Sequence, residues 1–225
     1  MTSKVAIPDI ALMDNTSQRL PCILVLDGSG SMAGEPIDRL NEGLRELEKQ
    51  LKNDPVASQR VQLLVIRIGH LDSVDVLVDW TDASAFTAPT IEAEGSTPLG
   101  AGVSLAISKL QEQKARYKAN GIPYNRPWLF ALTDGEPTDA GWEAAADACK
   151  SAEQSAQLIF FGIGTEGANL ENLARFTTRG PLKLKGLNFK ELFVWLSKSV
   201  SSASKAAQGS SAQLPSPAGW ASVST

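Results

Sequence analysis

Cysteine and histidine are scarce in this chain of 225 residues, which has two cysteines and one histidine. Two cysteines cannot build a disulfide framework, and both lie in apolar segments, so we expect reduced, buried thiols. The histidine, His70, follows Gly69 in a predicted hairpin turn. No G-x-S-x-G or G-x-x-x-x-G-K-[ST] motif accompanies it, which argues against a serine hydrolase and against a P-loop nucleotide site.

Long hydrophobic runs and an excess of basic residues are also missing. No run of about 18 apolar residues occurs, so we expect no membrane span. Residues 1–16 lack the apolar segment of a signal peptide. Acidic residues outnumber basic ones by 25 to 21, which argues against nucleic-acid binding because that requires basic charge to neutralise phosphates. These absences predict a cytoplasmic protein that binds neither membranes nor nucleic acid.

What the sequence does contain is an alternation of apolar runs with amphipathic stretches. Continuous apolar runs are typical of strands buried on both faces of a parallel sheet. A further segment, Ser73 to Trp80, alternates and predicts an antiparallel edge strand. We therefore expect an α/β fold: a mostly parallel, doubly wound sheet with helices on both faces and one antiparallel edge strand. The continuous runs are Leu20–Leu26, Val61–Ile68, Trp128–Leu132 and Leu158–Gly164.

Helix boundaries can be predicted from capping and breaking residues. Pro36 is placed to open a helix with an apolar face, and the sequence Asn53-Asp54-Pro55 is placed to end it. Either Thr138 or Asp139 could cap the alanine-rich helix that follows them. The final helix is predicted to end near Val200.

The predicted domain organisation has three parts: an N-terminal extension (1–18), one domain (19–200) and a tail rich in Ser, Ala and Pro (201–225). Such a tail buries too little apolar area to offset its ordering entropy, so we expect it to be mobile. Trp220 leaves the alternative open, because an exposed tryptophan is costly and this end could fold back onto the domain.

Three polar clusters lie beside the predicted strand ends: Asp27-Gly28-Ser29-Gly30-Ser31, Gly95-Ser96-Thr97-Pro98 and Thr133-Asp134-Gly135. Ligands of open parallel sheets bind beyond the carboxyl ends of strands, where the strand order reverses. If the first and fourth strands are neighbours, all three clusters share one crevice. Each cluster alone is weak evidence, and Asp27 to Ser31 alone is better explained as a strand-to-helix turn with a cap.

Together the clusters supply carboxylate and hydroxyl oxygens and no histidine or cysteine. Oxygen ligands suit Mg²⁺, Mn²⁺ or Ca²⁺ rather than zinc. Mg²⁺ is favoured because it retains several waters and needs few protein ligands.

The same residues resemble the metal-ion-dependent adhesion site (MIDAS) of von Willebrand factor type A (VWA) domains. Asp27, Ser29 and Ser31 match the D-x-S-x-S element, and Thr97 and Asp134 match the remaining two positions. The resemblance runs from about Leu20 to Val200 and implies a Rossmann-like fold. It also implies that the hydroxyls contact the metal directly, that the aspartates act mostly through water, and that one position accepts a partner's carboxylate.

Other segments resemble compact bacterial VWA proteins of the TerY type, which are associated with tellurium resistance and chemical stress. These segments are GSTPLGAGV, GIPYNRPW, RPWLFALTDGEPTD and LPSPAGW. The resemblance implies a non-catalytic cytoplasmic scaffold that works with a protein kinase and a PP2C-type phosphatase. Since we expect the metal site at the surface, Asp27→Ala is predicted to abolish metal-dependent binding and leave the fold intact.

Two alternatives remain open at the sequence level. Other intracellular VWA domains serve chelatases and motor proteins, so the chain could be an adaptor for an AAA-type ATPase. A haloacid-dehalogenase-like hydrolase also places an Asp after an apolar strand. That chemistry needs a second carboxylate two residues later as general acid, and Ser29 stands there instead.

Overall fold

A computed structural model describes residues 15–134, 136–205 and 214–223. Most of the predicted N-terminal extension and part of the predicted tail lie outside these residues. The strands are β1 (Leu20–Gly28), β2 (Val61–Gly69), β3 (Ser73–Asp82), β4 (Trp128–Thr133), β5 (Ile159–Gly164), β6 (Leu182–Leu184) and β7 (Ala221–Val223). The helices are α1 (Glu35–Asn53), α2 (Ala57–Arg60), α3 (Leu99–Ala119), α4 (Trp142–Gln154), α5 (Leu170–Ala174) and α6 (Phe189–Lys205), with 3₁₀ turns at Gly30–Met32 and Pro217–Gly219.

The strands form one sheet in the order β3-β2-β1-β4-β5-β6-β7. Strands β2, β1, β4, β5 and β6 are parallel, whereas β3 pairs antiparallel to β2 at one edge and β7 pairs antiparallel to β6 at the other. This confirms the predicted mostly parallel α/β sheet with β3 as its antiparallel edge. The structure adds the short strands β6 and β7, which are too brief to show a sequence pattern.

Strand β1 is buried along its whole length because helices cover both of its faces. Leu24 and Leu26 pack in a core with apolar residues of α1 and α6. Ile23 and Val25 point the other way, into a second core with residues of α3 and α4. A strand with two covered faces reads as a continuous apolar run, which is why LPCILVL could be recognised as central.

Helix α1 has the predicted boundaries to within two residues. Its proline lies in the first turn, where the missing N–H costs nothing, and the helix ends immediately before Asp54. The Asp54 carboxylate then accepts hydrogen bonds of 2.9 Å from the N–H groups of Val56 and Ala57, which starts the next turn. On α1, Gly43 lets α6 approach closely, since a Cβ there would lie 2.6 Å from a ring carbon of Phe193.

The C-terminal part of the chain is more ordered than its composition predicts. Helix α6 continues to Lys205, five residues beyond the predicted end near Val200, and the Ser201 hydroxyl donates a 2.6 Å hydrogen bond to Asp54. Residues 214–223 pack back onto the domain, where Trp220 is 2% exposed and its ring centroid lies 5.1 Å from that of Trp195. This packing is the arrangement that the alternative of a docked Trp220 describes.

Both cysteines are reduced and buried, as predicted, and burial raises the pKa of each thiol. Within residues 15–134, 136–205 and 214–223, no helix has the length and apolar character needed to cross a membrane.

Candidate metal centre

The three polar clusters lie beside the end of β1, where the strand order of the sheet reverses. Strand β1 is flanked by β2 on one side and β4 on the other, so the condition set from the sequence, that the first and fourth strands are neighbours, is met. Asp27 is the penultimate residue of β1, and Asp134 directly follows β4. The carboxyl ends of these parallel strands open on the same edge, which is where such sheets bind ligands.

Four of the five predicted site residues form one hydrogen-bonded group. The N–H of Ser29 donates to Oδ1 of Asp27 over 2.8 Å, which curls the chain back just after β1. The hydroxyl oxygens of Ser29 and Ser31 are 2.9 Å apart. The Ser31 hydroxyl in turn donates to Oδ2 of Asp134, which directly follows the neighbouring strand β4. The D-x-S-x-S spacing thus puts alternate side chains on one side of the loop.

Thr97, the fifth predicted residue, lies in the neighbouring loop. The N–H of Gly30 donates a 2.9 Å hydrogen bond to the carbonyl of Gly95, which holds this loop against the D-x-S-x-S turn. Thr97 itself is 5% exposed and is fixed by Thr138. Its N–H donates to the Thr138 hydroxyl, and the Thr138 N–H donates to its carbonyl, both over 3.0 Å.

The site has a buried floor and an open mouth. Asp27 is fully buried and Ser29 is 2% exposed, whereas Ser31 is exposed and Asp134 is partly exposed. The site opens at the surface as expected, but Asp27 lies beneath it, so the ground on which Asp27→Ala was predicted to leave the fold intact does not apply to this residue. Removing this buried carboxylate would leave the groups that donate to it without an acceptor, and unpaired buried polar groups are costly. Ser31 and Asp134 are the cleaner positions to substitute.

The surroundings of the Asp27 carboxylate disfavour its ionised form. Burial raises its pKa above the usual range, because desolvation disfavours the charged form. Hydrogen bonds from Ser29 and Thr133 oppose this shift, and the nearby negative charge of Asp134 adds to it. Two carboxylates therefore meet at this edge with hydroxyls as their nearest neighbours, an arrangement that a cation would relieve.

Three residues that support the site were not predicted to do so from the sequence. Thr133 donates to Asp27, and Thr138 fixes Thr97. Asp139 accepts hydrogen bonds from the N–H groups of Gly100 and Ala101, so it caps α3. The prediction that Thr138 or Asp139 caps the alanine-rich helix is therefore wrong.

That helix, α4, begins after Gly141, which has a φ of 81° and, as a glycine, has no side chain to cap the helix. The sequence around α3 could have indicated that Asp139 caps this helix instead. Its N-cap position is Pro98, and its first turn contains no acidic residue. A helix without its own N-cap needs a donor-satisfying group from elsewhere.

The loops after β4 and β5 are joined beside the site. The N–H of Asn169 donates to the carbonyl of Asp134, and its side-chain amide donates to Glu136, both over 3.0 Å. Glu136 is exposed, and Glu35 is exposed beside Arg39. Both acids are thus solvated residues that flank the site.

The donor set fits a hard divalent cation. Its side chains supply carboxylate and hydroxyl oxygens, which Mg²⁺ and Mn²⁺ accept, and no soft ligand. Across the described ranges, no three His, Cys, Asp or Glu side chains converge as metal ligands would. Any ion held here would therefore rely on the hydroxyls as well as on Asp27 and Asp134.

Comparison with known proteins places the chain in a family. The model of the von Willebrand factor type A domain matches residues 22–190, which is most of the chain and includes all five site residues. The chain belongs to the von Willebrand factor type A domain family. VWA domains commonly mediate metal-dependent protein interactions, and many bind a divalent metal.

Individual relatives are distant and mostly longer. The chain is 31% identical over 131 residues to the uncharacterized protein sll0103 of Synechocystis, covering 56% of this chain and 28% of that protein. Among solved structures it resembles the pilus adhesin SpaC of Lactobacillus rhamnosus GG, with TM-score 0.64 and 14% identity, covering 84% of this chain and 31% of SpaC. Manganese-loaded TRAP of Plasmodium vivax matches with TM-score 0.53 and 17% identity, over 80% of this chain and 73% of TRAP. At these identities the two structures share the fold with this VWA domain.

Proposed function

We propose that this VWA domain is a non-catalytic, metal-dependent protein-interaction module that docks a carboxylate of a partner protein on a bound divalent cation. The observation that carries the proposal is the hydrogen-bonded group at the sheet edge, which gathers hydroxyls and carboxylates from two different strand ends. The direct ligands are proposed to be Ser29, Ser31 and Thr97, with Asp27 and Asp134 acting mostly through water.

The donor set explains why such a site would recognise acids. A bound Mg²⁺ ion would supply a positive charge that neutral hydroxyls leave largely uncancelled, and an external Asp or Glu completes the coordination. We favour Mg²⁺ because the site has few carboxylates, with Mn²⁺ and Ca²⁺ as alternatives. The manganese in the TRAP structure supports a divalent ion in this fold.

The surroundings of Asp27 favour a structural role over hydrolysis. Both of its carboxylate oxygens already accept hydrogen bonds, one from Ser29 and one from Thr133. The residue two positions later, where a dehalogenase-like enzyme needs a general acid, is the hydroxyl-bearing Ser29. His70 lies in the β2–β3 hairpin loop, where its Nδ1 is 3.7 Å from a carboxylate oxygen of Glu94.

The test is a titration of the purified protein with Mg²⁺ by calorimetry, followed by a pull-down with Mg²⁺ or with EDTA. Wild-type protein is compared with Ser31→Ala and Asp134→Asn, which alter the open mouth of the site. We expect Mg²⁺ binding in the wild type only, and partners that are lost both with EDTA and with either variant. Partners retained under all three conditions would overturn the metal-dependent mechanism.

The cellular setting is proposed on the TerY-like segments alone. We propose a cytoplasmic bacterial scaffold in a tellurium or chemical-stress response, acting with a protein kinase and a PP2C-type phosphatase. The alternative is an adaptor for an AAA-type ATPase or chelatase. Mass spectrometry of the Mg²⁺-dependent partners separates the two, since recovery of an ATPase without a kinase or phosphatase would favour the alternative.

A further inference from the structure

The β2–β3 hairpin loop, residues 70–72, opens on the same edge of the sheet as the candidate metal centre. Strands β1 and β2 are parallel, and their last residues, Gly28 and Gly69, are paired. The contact is tight: a Cβ on Gly69 would lie 2.6 Å from the backbone nitrogen of Ser29. The chain therefore passes from Gly69 into the hairpin loop directly beside the D-x-S-x-S turn.

The hairpin loop is also fastened to the loop that carries Thr97. The N–H of Ser96 donates a 2.8 Å hydrogen bond to the carboxylate of Asp72. Gly95 has a φ of +83°, and a Cβ there would lie 2.9 Å from the nitrogen of Asp72 and 3.1 Å from that of Leu71. The backbone of Leu71 thus lies against the segment immediately before Thr97, with no space for an intervening side chain.

Leu71 has two features that the fold of the chain does not account for. Its side chain is 69% exposed, and within the described residues it is the large hydrophobic residue left exposed. Its φ is +57°, and that of Asp72 is +61°, so both residues at the centre of the turn are left-handed. Turns of this kind favour Asn and Gly because other side chains are strained there. Strain retained beside a functional site points to a role outside the fold.

Charge around Leu71 indicates what would contact it. Asp72 in the hairpin loop and Glu94 beside it are exposed, so a second acidic group of a partner would be repelled here. An apolar side chain would meet no such repulsion and would bury the exposed surface of Leu71.

We propose that Leu71 is a specificity-determining contact of this site. The partner segment would place an Asp or Glu at the metal and, a few residues away, an aliphatic or aromatic side chain against Leu71. This inference rests on the proposed function, because it needs a carboxylate docked at the metal centre.

The test uses a displayed library of short peptides, each with one fixed central Asp and random flanking residues, selected on the whole protein in Mg²⁺. On wild-type protein we expect enrichment of Leu, Ile, Met, Phe or Trp at a defined distance from the Asp. On Leu71→Asn this enrichment is lost while the requirement for Asp and for Mg²⁺ remains. A peptide selected on the wild type should bind Leu71→Asn about tenfold more weakly, as expected when one apolar contact is removed. Leu71→Met, which stays apolar, should retain most of the affinity.

The variant carries its own folding control. Asn is close to Leu in size and is better suited to a positive φ, so the denaturant midpoint of Leu71→Asn should equal or exceed that of the wild type. A lower midpoint would mean that Leu71 supports the fold, and equal peptide affinities would mean that it contacts no partner; either result overturns the inference. If Mg²⁺-dependent peptides are selected but show no apolar preference, the inference about Leu71 is overturned and the proposed function stands. If no Mg²⁺-dependent peptide is selected, the proposed function fails and this inference fails with it.

Discussion

The hydroxyl of Thr133 donates a 2.6 Å hydrogen bond to the carboxylate of Asp27, and both residues are fully buried. The two residues lie side by side at the ends of β4 and β1, one position beyond the paired Leu26 and Leu132. A central strand end is thus held in place by a polar contact between neighbouring strands, directly beneath the hydroxyls of the candidate metal centre.

Thr133→Val should destabilise the protein by about 1–3 kcal/mol, because it leaves a buried carboxylate with one donor fewer. The shape of the side chain is nearly unchanged, so the loss would come from the hydroxyl. Urea unfolding measures the effect. Thr81→Val on β3 is the matched control: its hydroxyl bonds an exposed backbone carbonyl, and its cost should stay within about 0.5 kcal/mol. Equal costs for the two variants would contradict the role given to Thr133.

Asp134→Asn should have opposite effects with and without Mg²⁺. In EDTA, the unfolding midpoint should stay the same or rise, because the charge of Asp134 raises the pKa of Asp27 and its removal relieves repulsion. In Mg²⁺ the wild type should be stabilised by mass action, by about 2.7 kcal/mol at a hundredfold excess over the dissociation constant, and the variant should not be. Thermal unfolding in both buffers tests this.

Asp147→Asn, at an exposed position of α4, is the control for the change in net charge. It should respond to Mg²⁺ as the wild type does. If Asp134→Asn is stabilised by Mg²⁺ as strongly as this control, Asp134 takes no part in holding the ion.

The sequence predicted the sheet, and it predicted that the candidate site residues lie close together, because both depend on local signals. Apolar runs marked the buried strands, and the D-x-S-x-S spacing put Ser29 and Ser31 on one side of a turn. The supporting contacts could not be predicted, because they join residues far apart in the chain. Asp139 illustrates this: from sequence alone it precedes one helix, whereas in the fold it caps another that begins some forty residues earlier.

The packing of the C-terminal segment was left open at the sequence level for a similar reason. Composition argues correctly that a Ser- and Ala-rich stretch has little apolar area of its own. It does not reveal that the domain supplies a matching surface. The indole N–H of Trp195 donates a 2.8 Å hydrogen bond to the carbonyl of Pro215, and the Trp220 ring packs against that of Trp195 at an interplanar angle of 55°.

Asp139→Ala should cost about 0.5–2 kcal/mol, since it removes the carboxylate that accepts from two N–H groups in the first turn of α3. Because α3 follows directly from the loop of Thr97, Mg²⁺ affinity should weaken as well. Asp147→Ala removes an exposed carboxylate from α4 and should change neither property. Denaturant unfolding and calorimetry provide the two measurements, and an unchanged midpoint for Asp139→Ala would exclude its capping role.

Glu153 anchors the end of α4 to the segment that follows α5. Burial raises the energy of its charged form, but hydrogen bonds outweigh this effect and lower its pKa below the usual value. Its carboxylate accepts from the N–H groups of Phe160 and Thr178 over 3.0 and 2.6 Å and from the hydroxyls of Thr177 and Thr178 over 3.0 and 2.7 Å. Glu153→Gln replaces one accepting oxygen with a donor and should destabilise the protein by about 1–3 kcal/mol at neutral pH.

The pH dependence of this loss follows from the direction of the pKa shift. A carboxylate whose pKa is lowered by folding contributes its full stabilisation above its unfolded pKa, about 4.3, and loses it as the pH falls through the lower folded value. The unfolding free energies of the wild type and Glu153→Gln should therefore converge on acidification below about pH 4. Glu143→Gln, at an exposed position in the first turn of the same helix, should show no comparable gap at neutral pH. A gap for Glu153→Gln that stays constant down to acidic pH would mean that the charge of Glu153 is not what stabilises the fold.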